Sequence, residues 1–133
     1  MSGANLAAAR RLYDAFAAHD GQALIEALHP SFRGVVAAGM PLGLGGVYEG
    51  RERMLQGCWS QVFAVLDTRP IPAEYLPAGP DRIVILGRYL GRSRETGRPH
   101  DAAFAHVLRF QDGAVSELIQ ITDTARWHEA LRP

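Results

Sequence analysis

Residues 101–122, DAAFAHVLRFQDGAVSELIQIT, decide the fold class. Asp101–Phe110 and Ala114–Thr122 are two runs of strand formers, and Gln111-Asp112-Gly113 between them is a tight turn. Side chains alternate along a strand, so one face of the first run carries Phe104, His106, Leu108 and Phe110. Its other face carries Ala103, Ala105, Val107 and Arg109. The second run divides into Ser116, Leu118, Gln120 and Thr122 against Val115, Glu117, Ile119 and Ile121. Neither face is uniformly polar, whereas a sheet wet on one side alternates cleanly. Both faces are therefore expected to be covered, one by helices and the other by a second copy in a homodimer through the sheet.

The pattern extends outward from this hairpin. Arg82–Arg92 is a third strand, joined to Asp101–Phe110 through Arg94–Pro99 around Gly97. Leu66–Tyr75 is a fourth, placed at an edge because Pro70 and Pro72 remove two ladder donors. Pro77–Asp81 is the turn between these last two.

The first half of the chain is mostly helical. Residues 5–19 repeat Leu6, Ala9, Tyr13 and Phe16 at helical spacing. Asp20 caps a second short helix that His29-Pro30 ends. Ser31–Ala38 follows as a short strand and Gly39–Gly46 as a glycine-rich loop. Gly50–Ala64 returns to helical spacing, with Met54, Cys58, Trp59, Val62 and Phe63 on its apolar face. A last helical turn spans Thr124–Leu131, with Asp123 or Thr124 as its N-cap. Helices segregated from strands predict one α+β domain across residues 1–133.

Composition removes several classes of function. The chain has no lysine; all fourteen basic residues are arginine, which excludes Schiff-base chemistry, a lysine-anchored pyridoxal and a complete Walker A loop. Fourteen acidic residues balance them, and the arginines are scattered, so neither nucleic acid nor a membrane surface is an expected partner. The single Cys58 precludes an intramolecular disulfide, and a cytoplasmic location is the expectation. His100, Asp101 and His106 lack metal-ligand spacing, and the glycines of 39–50 do not form a dinucleotide fingerprint. No metal and no cofactor are expected.

Three stretches carry a family resemblance: Ala8–His19, Gly46-Val47-Tyr48-Glu49-Gly50-Arg51-Glu52, and His106-Val107-Leu108-Arg109-Phe110-Gln111-Asp112-Gly113 with Gln120, Asp123, Thr124 and Ala125. In this order and spacing they resemble the nuclear transport factor 2-like superfamily, and within it the SnoaL-like proteins, which include polyketide cyclases and share a fold with ketosteroid isomerase. The resemblance spans nearly the whole chain. It implies a cone-shaped α+β barrel, a curved, mostly antiparallel sheet wrapped around the N-terminal helix, with an apolar pocket at its open end.

The resemblance also implies roles. It puts His106 where the isomerase has a protonated aspartate and the cyclases a histidine. Gln120 falls where the cyclases have an acid/base aspartate, and a glutamine cannot take up that proton. The isomerase's base falls near Val36, and its helix tyrosine aligns to Leu12, with Tyr13 one position on. An Asp-Arg-Asp scheme like that of limonene epoxide hydrolase would need Arg88, Asp101 and Asp123, but alternation puts Asp101 on the face away from His106.

His106, on an otherwise apolar face, is the candidate catalytic group, as a neutral imidazole acting as base or hydrogen-bond donor. Gln120, Tyr13, Trp59, Phe104, Leu118 and Tyr48 are the candidate substrate-binding residues; the alternatives are core packing for Tyr13 and Trp59, a structural amide bonded to backbone for Gln120 and an exposed turn position for Tyr48. Cys58 reads as core. The expected ligand is compact, mostly apolar and oxygenated. The activity is either that of a cofactor-independent enzyme or plain small-molecule binding.

Overall fold

The computed structural model describes residues 3–133. Helix α1 (Gly3–Ala18) lies across the concave face of a six-stranded sheet ordered β2-β1-β6-β5-β4-β3. Helix α2 (Gly21–Ala27) leads into β1 (Leu28–Val36), then a loop with a 3-10 turn (Pro41–Gly43), then β2 (Gly46–Glu49). Helix α3 (Arg51–Met54), a π turn (Leu55–Trp59) and α4 (Ser60–Val65) form one continuous rod. Strands β3 (Leu66–Pro77), β4 (Arg82–Ser93), β5 (Pro99–Gln111) and β6 (Ala114–Thr122) form a meander, and α5 (Thr124–Ala130) follows. Neighbouring strands are antiparallel except β1 and β6, which run parallel.

Local chemistry accounts for these boundaries. The Asp20 side chain accepts the Ala23 N–H at 3.1 Å and caps α2. Asp112 (φ 52°) and Gly113 (φ 74°) close the β5–β6 hairpin in the left-handed region that Asp-Gly tolerates. Strand β3, with Pro70 and Pro72, is an outer strand. The inward faces of the sheet and α1 share a core in which Leu12, Phe32, Ile83, Ile85, Leu108 and Val115 are fully buried. Each such side chain contributes roughly 1.5–3 kcal/mol relative to exposure.

Four local expectations are corrected. Strand β1 begins at Leu28 rather than Ser31, because Pro30 favours extended backbone before it; its missing donor falls where pairing with β6 is irregular, between Leu28 and Arg33. Residues 46–49, read as loop running into a helix, form β2, with Gly46 opposite Val36. The alternation read on β6 breaks at a bulge: Arg109 pairs with Glu117 but Phe110 with Val115, so Ser116 is the extra residue. Val115 therefore faces the core together with Leu118. Asp123 occupies the N-cap position of α5 but makes no side-chain capping bond.

The convex face is different in kind. Val84, Leu86, Ala105, Val107 and Ile119 are half-buried there, and Ile121 is 58% exposed. Ion pairs flank this stripe: Arg88 to Asp101 at 2.7 Å, and Arg33 to Glu117 at 3.1 Å.

Candidate functional site

The concave face, α1 and the α3–α4 rod enclose a cavity. His106 (β5), Tyr89 (β4) and Gln120 (β6) form its polar end; Leu118 (β6), Met40, Met54, Trp59, Val62 and Trp127 supply apolar wall. Among the described residues that line it, none carries a formal charge at neutral pH. The free space is about 30 Å³, room for roughly two waters. A larger ligand enters only as the walls move aside, and Met40 and Met54 are unbranched side chains suited to that.

Strand register brings the polar end together. His106 stands directly opposite Gln120. Tyr89 is opposite Ala102, two pairs removed from the Gly87–Phe104 pair. A Cβ at Gly87 would lie 2.7 Å from Phe104 Cζ and 2.2 Å from the Ile71 carbonyl oxygen. The missing side chain leaves room for the Phe104 ring, and Tyr89 packs over that ring at 4.9 Å to reach His106.

The result is a buried chain of hydrogen bonds. The Ala37 N–H donates to Gln120 Oε1 at 3.2 Å, and Gln120 Nε2 donates to the Tyr89 hydroxyl at 2.9 Å. That hydroxyl lies 2.7 Å from His106 Nε2, and the Tyr13 hydroxyl lies 2.8 Å from His106 Nδ1. Phe104 stacks on the imidazole at 4.1 Å. Burial disfavours the imidazolium and lowers the His106 pKa to about 3, so the ring is neutral at physiological pH. Burial raises both tyrosine pKa values, so both hydroxyls keep their protons.

Of the residues singled out from sequence, His106, Gln120, Trp59 and Leu118 line the cavity. Tyr13 does not: it touches His106 from behind, on α1, where the helix packs against the sheet. Phe104 does not either, being stacked beneath His106 and Tyr89. Tyr48 lies outside, its hydroxyl donating to the Leu44 carbonyl at 2.7 Å and its ring 3.1 Å from where a Cβ at Gly57 would be. Asp14 and Asp123 are absent from the lining, and Arg88 and Asp101 pair on the opposite face of the sheet. Among the described residues, no group of three or more His, Cys, Asp and Glu is placed to hold a metal ion.

Sequence reasoning left Tyr89 between pocket and core packing, and missed Met40 and Trp127 as lining residues. Alternation with Ile83 and Ile85 was the available signal for Tyr89; nothing local marks the other two. Cys58, read as core, is buried in the cavity wall, where burial raises its thiol pKa to about 12. The π turn explains how it shares that wall with Trp59. In an ordinary α-helix Trp59 would lie about 140° around from Met54. The wider turn brings Cys58 and Trp59 to the same side, and such turns recur at functional sites.

Comparisons agree with this architecture. The profile of the SnoaL-like domain matches residues 9–118. A nuclear transport factor 2-like protein of unknown function from Burkholderia pseudomallei is 30% identical over the whole of both chains, with a TM-score of 0.88. Another from Burkholderia thailandensis is 25% identical over the whole of both, at 0.85. TerC, crystallised with polyporic acid, is 28% identical over 96% of this chain and 98% of its own, at 0.86. No curated protein matches. An uncharged cavity walled by the last strands and the N-terminal helix, together with these matches, establishes that the chain belongs to the SnoaL-like family of nuclear transport factor 2-like proteins.

Proposed function

We propose that the protein is a small cofactor-independent enzyme that binds a compact, mostly apolar molecule and polarises one of its oxygens. The observation that carries this reading is the Tyr89 hydroxyl in an apolar wall, backed by Gln120 and by the neutral His106. A donor held in a dry site favours negative charge building on a carbonyl, quinone or epoxide oxygen, and it is oriented before the reaction begins. Tyr89 is the group in contact with substrate; His106 acts through it. Trp59, Leu118 and Met54 supply apolar contact. The reading is supported by TerC, which was co-crystallised with polyporic acid.

The site also restricts the chemistry. His106 is bonded at both ring nitrogens, and no carboxylate lines the cavity among the described residues. The chemistry that fits is therefore rearrangement or ring closure in which a proton passes within the substrate, from its own acidic group to its own oxygen. The same observation favours a second reading, non-catalytic binding of the same molecules.

A thermal-shift screen against aromatic polyketide, steroid and terpenoid-epoxide fragments, with mass analysis of each hit, separates the two. Conversion that Tyr89→Phe lowers by about 100-fold, the loss typical of one oxyanion donor, supports the enzyme. Stabilising ligands that return unchanged support the binding protein.

A second copy of the chain is the proposed partner of the convex face. The apolar stripe of Val84, Leu86, Val107, Ile119 and Ile121 is bordered by charges of both signs, which a two-fold related copy complements. Sedimentation at micromolar concentration should give a dimer for the wild type and a monomer for Ile121→Asp. A monomeric wild type would refute the assembly.

A further inference from the structure

The buried chain from Gln120 to Tyr13 holds one hydrogen more than it uses. Gln120 Oε1 accepts the Ala37 N–H, so the amide is oriented with Nε2 donating to Tyr89. Two bonds then join Tyr89, His106 and Tyr13. Three hydrogens are available for them: one on each hydroxyl and one on the neutral imidazole. Among the described residues, neither hydroxyl has a further acceptor.

The tautomer of His106 decides which hydroxyl keeps the surplus. With the ring proton on Nδ1, His106 donates to Tyr13 and Tyr89 donates to Nε2. The spare hydrogen then sits on Tyr13, packed among Phe16, Tyr75 and Phe104, where none of the described residues offers an acceptor within hydrogen-bond distance. With the proton on Nε2, Tyr13 donates to Nδ1 and the Tyr89 oxygen accepts from both Gln120 and His106. The spare hydrogen then sits on Tyr89, in the cavity wall, where an incoming group can accept it. An unpaired donor is worst where no acceptor can reach it.

We infer that Tyr13 is a positioning residue that holds His106 as the Nε2–H tautomer, leaving the Tyr89 hydrogen free, and that the cavity takes its ligand through an acceptor oxygen. In this arrangement both lone pairs of the Tyr89 oxygen are engaged, so a ligand presenting a donor there finds no acceptor. The site reads carbonyl, quinone or oxyanion groups and rejects hydroxyl or amine donors. The inference rests on the cavity being the ligand site, but not on turnover.

The test combines two readouts. Nitrogen-15 NMR of the imidazole at pH 7 should show His106 protonated at Nε2 in the wild type and drawn toward a mixture of tautomers in Tyr13→Phe. Binding of α-tetralone, whose only polar atom is a ketone oxygen, should exceed binding of tetralin by about tenfold, the ratio expected of one net hydrogen bond. In Tyr89→Phe that ratio should fall to about one while tetralin affinity stays within about twofold. A wild-type His106 protonated at Nδ1 overturns the tautomer assignment, with no variant needed. Equal affinity of the wild type for α-tetralone and tetralin overturns the ligand class. A protein that binds α-tetralone and converts nothing leaves the inference standing and refutes only the enzyme reading.

Discussion

Two histidines lie on the same face of β5, six residues apart, and both are fully buried. His106 is bonded at both nitrogens, and its partners are tyrosines, one of them in the cavity wall. Among the described residues, His100 is bonded only at Nδ1, 2.7 Å from the Thr68 hydroxyl, with no hydrogen-bond partner at Nε2, and its ring packs 4.3 Å from the Trp127 indole. The difference shows that burial alone does not connect a histidine to the cavity. Both rings are kept neutral by the same loss of solvent, His100 with a pKa lowered to about 4 and His106 to about 3. What separates them is connection: one links two hydroxyls across the core, while the other ends in an aromatic wall.

The largest expected effect treats the two alike. Both are neutral when folded, and the unfolded chain takes up a proton on each below about pH 6.5. The stability that each contributes is complete above that value and is lost as pH falls toward about 4 for His100 and about 3 for His106. Urea denaturation at pH 7.5 and pH 5.0 should therefore show a loss of about 2 kcal/mol from each, at about 1.4 kcal/mol per pH unit. A stability that is flat over this interval would mean that the rings are protonated when folded.

Substitution should then divide the pair. His106→Leu strands the buried Tyr13 hydroxyl, leaves Tyr89 bonded to Gln120 alone, and should lower the unfolding free energy by about 3 kcal/mol at pH 7.5. His100→Leu removes one bond and one unpaired nitrogen, leaving Thr68 free to rotate, and should cost about 1 kcal/mol. Equal losses in denaturant titration would erase the distinction drawn here. The smallest effect sharpens it: Thr68→Val should alter the His100 imidazole resonances and leave those of His106 in place.

Much of this fold was legible in the sequence because its signals are local. The Asp20 cap, the Asp112-Gly113 turn and the prolines of β3 each act within a few residues. The face carrying His106 was legible for the same reason, since alternation is a property of one strand. The β6 bulge was not, because Ser116 becomes the extra residue only when β6 is paired against β5. Strand β2 was hidden by the glycines before it, which read as loop until β1 supplies a partner. The site was half legible. His106 and Gln120 follow from alternation, but Tyr89 reaches His106 through space left at Gly87, a relation between two strands. Trp127 lines the cavity from the far end of the chain, and Tyr13 meets the imidazole from α1, a contact that neither element shows alone.

The parallel pairing of β1 with β6 has a consequence for how the molecule assembles. Arg33 and Glu117, which meet across that seam, are 84 residues apart in the chain, so their strands close the longest loop in the sheet. Neighbours within the β3–β6 meander are joined by short turns, and such contacts form early because little chain entropy opposes them. Loop-closure entropy therefore predicts that the seam forms late in folding. Gln120 grips the end of β1 through the Ala37 N–H, so the same late step completes the polar end of the cavity. A chain stalled before it would hold His106 and Tyr89 on a nearly finished sheet, with the β1 side of β6 still an open edge.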